Sequence, residues 1–289
     1  MDFGKVLTAM VTPFDNRGNV DFEQTTILID YLLANGTEGL VITGTTGESP
    51  TLSETEKIKL YQHVVKAVNK RVPVIAGTGS NNTASTIALT KEAEKCGVDG
   101  IMLVTPYYNK PNQQGLYQHF KSIAEETSLP IMLYNIPGRS SVNMSGETII
   151  DLSKIDNIVS VKDASGDFNQ VCDIIENTDK KFTVYSGEDG LTLPLMAVGT
   201  QGVVSVSSHI IGNEMQSMIK AFIAGNVQEA AEIHRQLLPI MTGLFKAPSP
   251  VPVKAALQMR GIEVGGVRLP LVELTESEKE NLQKIIDEI

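Results

Sequence analysis

The stretch Ile158-Val159-Ser160-Val161-Lys162-Asp163 reads as a short, mostly apolar strand that runs straight into a lysine. Seven more runs of the same kind lie along the chain, at residues 6–11, 39–43, 72–76, 100–104, 130–134, 182–185 and 202–206. They are mostly continuous apolar runs without strict alternation, which is how parallel strands read when both faces are buried. Between them lie amphipathic segments with legible ends. Asp21 opens the helix that carries Ile27, Leu28 and Tyr31, and Gly36 closes it. Ser53 with Glu56 forms a capping box ahead of Ile58, Leu60, Val64 and Val65.

Eight strands alternating with helices predict an α/β fold, a (β/α)8 barrel of the TIM type. A doubly wound open sheet would leave two strands beyond its usual six. The length of 289 residues suits a barrel of about 250 residues with something added. Beyond the eighth run only helical patterns follow, broken by Pro248-Ser249-Pro250-Val251-Pro252. The expected division is a catalytic barrel over residues 1–225 and a small C-terminal helical appendage over 226–289.

Composition narrows the function classes. Apolar residues make up 42% and charged residues 20%, enough for a large core in a globular protein. Net charge is −10 with no basic cluster, so nucleic acid is not an expected partner and an anionic substrate must be met by local positive groups. No apolar run approaches the ~18 residues of a membrane span, and no signal-like segment opens the chain. A cytoplasmic protein without membrane contact is expected. Cys96 and Cys172 are too few for a disulfide framework and lack metal spacing, and read as small packing residues.

In barrels of this type the chemistry sits at the C-terminal ends of the strands. The second strand ends in Gly44-Thr45-Thr46-Gly47-Glu48-Ser49, either an ordinary turn or a cradle of backbone N–H groups for a carboxylate or phosphate. It lacks the lysine of a P-loop, and no Gly-x-Gly-x-x-Gly follows a strand, which disfavours nucleotide binding. The fourth and fifth strands end in Thr105-Pro106-Tyr107-Tyr108-Asn109 and Tyr134-Asn135-Ile136-Pro137-Gly138-Arg139. Tyrosines there either pack with a polar tip or handle protons. Arg139, after a Pro-Gly turn, is placed to clamp a carboxylate or lies solvated.

The sixth strand decides the chemistry. A lysine at the end of an apolar strand faces the barrel axis or its mouth, where an ammonium is costly to bury. Desolvation disfavours the charged form and frees the amine lone pair for attack on a carbonyl. His63, His119, His209 and His234 show no metal-binding spacing, and Asp163, Glu188 and Asp189 lack histidine partners. A metal-free covalent mechanism through Lys162 is the simpler expectation.

Together, Gly44–Ser49, Thr105-Pro106-Tyr107-Tyr108-Asn109-Lys110-Pro111, Tyr134–Arg139 and Val161-Lys162-Asp163-Ala164-Ser165-Gly166 resemble the dihydrodipicolinate synthase / N-acetylneuraminate lyase superfamily of aldolase-like barrels. The resemblance covers essentially the whole chain. It implies a lyase that condenses pyruvate with L-aspartate 4-semialdehyde on the route to diaminopimelate and lysine, with no cofactor and no metal. It further implies that Lys162 forms the Schiff base and that Tyr134 donates and accepts protons. Thr45 and Tyr108 complete a hydroxyl relay, and Thr46 holds the pyruvate carboxylate in a pocket lined by Val204. Arg139 receives the carboxylate of the aldehyde, and Gly187 is a backbone position near the site. Tyr108 is expected to act in a neighbouring subunit, making a dimer the smallest complete unit within a homotetramer.

One departure stands out. Where lysine-inhibited relatives carry two histidines and a glutamate in a regulatory pocket, this chain has Glu54, Lys57 and Ser85, although Ser49, Asn81 and Tyr107 remain. Weak or absent feedback by lysine is expected. Two other readings stay open: a sialate lyase or 2-keto-3-deoxy sugar-acid aldolase, against which Arg139 argues, and a non-catalytic barrel that binds a small carboxylate.

Overall fold

The computed structural model describes residues 3–289. Eight parallel strands close into a barrel in sequence order: β1 Val6–Ala9, β2 Gly39–Ile42, β3 Val74–Gly77, β4 Gly100–Val104, β5 Ile131–Asn135, β6 Ile158–Asp163, β7 Thr183–Ser186 and β8 Gly202–Ser205. Helices α1 Phe22–Ala34, α2 Glu54–Val68, α3 Thr83–Lys95, α4 Gln113–Ala124, α5 Pro137–Ser140, α6 Gly146–Leu152, α7 Phe168–Asn177 and α8 Thr192–Met196 connect them. After β8 come α9 Ser208–Ile223, α10 Val227–Gly243, α11 Val251–Met259 and α12 Glu276–Ile286.

All eight expected strands are present, with ends displaced by a few residues. The third begins at Val74 and not at residue 72, because Pro73 has no N–H to give and Val74 N–H donates to Asp99 Oδ2 at 2.9 Å. The sixth extends to Asp163, so Lys162 belongs to the strand itself. Asp21 caps α1, and Ser53 with Glu56 forms the capping box of α2. Gly36 closes α1 as expected: it follows the capping residue Asn35 at φ +85°, and the Thr37 N–H donates back to the Leu32 carbonyl at 3.2 Å.

The apolar runs serve two cores at once. Leu7, Val41, Ile75, Met102, Met132, Tyr134, Tyr185 and Val204 fill the barrel interior. Their neighbours Val6, Leu40, Val74, Leu103, Leu133, Val184 and Val203 pack outward against the helices. Phe3 plugs the interior from below, and Gly100 gives it room: a Cβ there would lie 3.2 Å from the Phe3 ring. The last three helices do not build a separate core. Leu237, Ile240, Val253, Leu257, Leu282 and Ile286 join the same apolar layer as the barrel helices.

One irregularity matters for function. Between β5 and β6 the register slips, with Ile131 opposite Ile158 but Met132 opposite Ser160. Val159 packs on the interior, Val161 on the outer layer, and Lys162 pairs with the inward-facing Tyr134 and Tyr185. Strict alternation from Val159 would have turned Lys162 outward. The bulge re-aims it.

Candidate active site

Lys162 is 5% exposed, and its Nζ stands 4.2 Å from the centroid of the Tyr134 ring. Among the described residues it has no carboxylate partner. A buried amine facing only an aromatic ring and the barrel mouth is unusual, because buried lysines normally find a counter-charge. Tyr134 is held by its backbone, whose carbonyl accepts from both the N–H and the hydroxyl of Thr105 at 2.9 Å.

The end of β6 is braced from behind. Asp163 Oδ1 accepts from the Ser165 N–H and hydroxyl, and Oδ2 from Asn135 Nδ2 at 3.0 Å. Asn135 in turn accepts the Met144 N–H at 3.0 Å. Asp163 is thus spent on structure and leaves Lys162 unneutralised. Gly187 N–H donates to the Asp163 carbonyl at 2.6 Å, and a Cβ at Gly187 would lie 3.1 Å from Lys162 Cε and 2.7 Å from Ala164 Cβ. The glycine therefore leaves the space that the lysine stem fills.

The turn after β2 folds back on itself. Thr43 takes φ +52°, and its hydroxyl and that of Tyr61 reach the Gly77 carbonyl at 3.0 and 3.1 Å. Burial raises the Tyr61 hydroxyl pKa, keeping it a neutral donor. Glu48 N–H donates to Thr45 O and Ser49 N–H to Gly44 O, while the N–H groups of Thr45 and Thr46 find no acceptor among the described residues. Thr46 is buried, Thr45 half-buried. Free amides beside a buried hydroxyl suit an anionic oxygen.

A cavity of about 290 Å3 runs over this turn, lined among others by Thr45, Gly44, Tyr134, Tyr107, Ile136 and Arg139. A second, of about 350 Å3, lies across Arg139 and Ile136 and is walled by Ala164, Gly187, Glu188, Met241 and Phe245. Arg139 lies exposed on the short α5 between the two cavities. Val204 on β8 belongs to the interior cluster beneath Tyr134. Lys162, Tyr134, Thr45, Thr46, Arg139, Gly187 and Val204 thus gather at one end of the barrel. Tyr108 does not join them: it is 89% exposed, at φ +70°.

A model of the dihydrodipicolinate synthetase family matches residues 2–289. This chain belongs to that family. It is 62% identical to the 4-hydroxy-tetrahydrodipicolinate synthase of Bacillus subtilis, with both chains covered in full. The dihydrodipicolinate synthase of Bacillus anthracis, at 60% identity, superposes with a TM-score of 0.99 over 100% of this chain and 99% of the other. A lysine-bound member from Cyanidioschyzon merolae, at 46% identity, superposes at 0.97 over 99% and 98%.

Several supporting residues carried no signal in the sequence. Tyr61 reads as a core position of α2, yet its hydroxyl buttresses the active turn. Glu48 reads as the polar end of a turn, yet it is buried and ion-paired with Lys254. Only the spatial neighbours of these side chains reveal what they do.

Proposed function

We propose that this chain is a 4-hydroxy-tetrahydrodipicolinate synthase, a lyase that condenses pyruvate with L-aspartate 4-semialdehyde through a Schiff base on Lys162. The observation that carries the reading is a buried lysine without counter-charge, set against Tyr134 below a turn of free amides. The 62% full-length identity to a protein of that name supports the substrate pair.

Each group has a task. The Lys162 amine attacks the pyruvate ketone carbon, and the resulting carbinolamine loses water to give the imine. Tyr134 supplies and recovers protons in these steps, with Thr45 and Tyr108 as its relay. The N–H of Thr46 receives the pyruvate carboxylate, with Val204 lining the pocket. The imine draws electrons from the methyl carbon, which loses a proton to become an enamine. The enamine attacks the aldehyde carbon, whose oxygen takes up a proton. The amine of the second substrate then displaces Lys162 from the imine carbon, and the cyclic product leaves. Arg139 binds the carboxylate of the aldehyde, and Gly187 keeps the path to Lys162 open. The lysine itself supplies the electrophilic imine, so the scheme needs no cofactor.

Tyr108 is 89% exposed and lines neither cavity of its own chain, which supports a homodimer as the smallest complete unit; the proposed assembly is a tetramer. Mixing a Tyr108→Phe chain with a Lys162→Ala chain should restore activity if the tyrosine acts across subunits. The proposed compartment is the cytoplasm; among the described residues no helix is long and apolar enough to cross a membrane.

Borohydride reduction in the presence of pyruvate, followed by peptide mass analysis, tests the chemistry. A pyruvyl adduct on Lys162 is expected, and its absence from every lysine would sink the reading. Faster turnover of N-acetylneuraminate than of aspartate semialdehyde would move the chain to the sugar-acid branch.

A further inference from the structure

Glu48 follows the Thr45–Thr46 amides by two residues and closes their turn in the left-handed region, at φ +57°. Its side chain is 1% exposed. A buried carboxylate costs several kcal/mol unless it is compensated. The compensation comes from the far end of the chain. Lys254 Nζ, on α11, lies 2.8 Å from Glu48 Oε1, and the Arg268 N–H donates to Oε2 at 2.9 Å.

Both cationic residues are themselves held. Lys254 donates to the Gly266 carbonyl at 2.7 Å and stands 4.1 Å from the centroid of the Phe14 ring. Arg268 lies 4.4 Å from the same centroid, donates to the carbonyls of Gly18 and Thr51 at 2.8 Å, and ion-pairs with Glu56. Glu56 closes the capping box that starts α2. The segment from Lys254 to Arg268 therefore grips the loop after β2 at Glu48 and Thr51 and the first turn of α2 at Glu56.

A buried ion pair contributes little net stability compared with an apolar pair of the same shape. What it does supply is direction, since a carboxylate held from two sides fixes both its own rotamer and the backbone that carries it. Here that backbone is a non-glycine residue at positive φ, a conformation that persists only when its surroundings over-determine it. The amides of Thr45 and Thr46 have no hydrogen-bond ladder of their own, so Glu48 is a chief anchor of their position.

We infer that Glu48 and Lys254 are positioning residues for the pyruvate carboxylate: the C-terminal segment, through this pair, sets the Thr45–Thr46 amides at the distance binding requires. The inference rests on the proposed assignment of that turn to the pyruvate carboxylate. Neither side chain touches substrate. Loss of the pair should weaken pyruvate binding and leave the aldehyde subsite at Arg139 nearly unchanged.

The test is steady-state kinetics of the full-length protein as wild type, Lys254→Met, Glu48→Gln and the double variant, with pyruvate-dependent borohydride trapping and thermal melting on each. The double variant leaves no orphaned charge and is the one expected to keep its fold. The expected result is a rise of ~10- to 100-fold in the pyruvate KM and in the pyruvate concentration for half-maximal trapping. The aldehyde KM should move by less than about threefold, while kcat falls to the extent that the Thr45 hydroxyl is displaced from Tyr134. A lowered melting temperature with unchanged pyruvate KM would overturn the inference, as would equal losses in both KM values or unfolding of all three variants. If the wild type forms no adduct on Lys162, the assignment of the site falls. If wild type and variants are trapped with the same pyruvate dependence, the assignment stands and only the positioning role falls.

Discussion

Lys162 and Tyr134 occupy paired positions of β6 and β5, and the amine faces the ring at 4.2 Å to its centroid. Lys254, the other buried lysine, has Glu48 at 2.8 Å and burial still brings its pKa down to about 8. One buried lysine is neutralised by a carboxylate and serves the fold, while the other is left with a ring and an opening. That difference in partners separates a structural lysine from a reactive one. Tyr134→Phe keeps the ring and removes only the hydroxyl. It should lower kcat by ~10^2- to 10^4-fold, the usual worth of a proton-transfer group, while pyruvate still reaches Lys162. Slowed but complete borohydride trapping would separate this from loss of binding.

Arg139 lies at the mouth between two cavities, and no other residue of its short helix carries charge. Arg139→Met should raise the aldehyde KM by ~10- to 100-fold, the loss of one charge-assisted contact. The pyruvate KM should stay near wild type. Equal increases in both would place the arginine on pyruvate instead.

Gly187→Ala puts a methyl group 2.7 Å from Ala164 Cβ and 3.1 Å from Lys162 Cε. Overpacking of this kind costs about 1–3 kcal/mol. The lysine stem is the most yielding neighbour, so activity should fall together with melting temperature. A variant as active as wild type would show that the stem has room to move.

His209 links the start of α9 to the end of β1. Its Nδ1–H donates to the Val206 carbonyl at 2.7 Å and its Nε2 accepts the Val11 N–H at 3.2 Å. Burial holds its pKa down at about 4. The unfolded chain takes up this proton near the ordinary histidine value of 6.5 and the folded protein only near 4. The resulting stabilisation is full above pH 6.5 and is lost as pH falls through about 4, by about 3 kcal/mol. His119, which burial also holds at about 4, adds a second share of the same sign. Urea midpoints measured across this range should decline more steeply in wild type than in His209→Gln.

Lys57 lines the cavity over the β2 turn beside Ser49, Ser80 and Tyr107, and burial lowers its pKa. A cation in that place repels the ammonium groups of free lysine, although the C. merolae relative has lysine bound. Sub-millimolar lysine should leave the initial rate unchanged. Clear inhibition in that range would show that the pocket binds lysine despite Lys57.

The amino-acid order alone determined the eight strands, the caps of the first two helices and the lysine at the end of the sixth strand. These follow from contacts within a few residues: apolar runs, Ser53 with Glu56, and a polar group ending an apolar segment. What the tertiary structure decided lies at long range. The bulge at Val159 turned Lys162 inward, where plain alternation would have turned it out. Tyr61 came to brace the Thr43 turn, and Lys254 and Arg268 came to hold Glu48. No local pattern announces such pairs, because a buried polar group is recognised by what stands opposite it, and that is set only when the barrel closes.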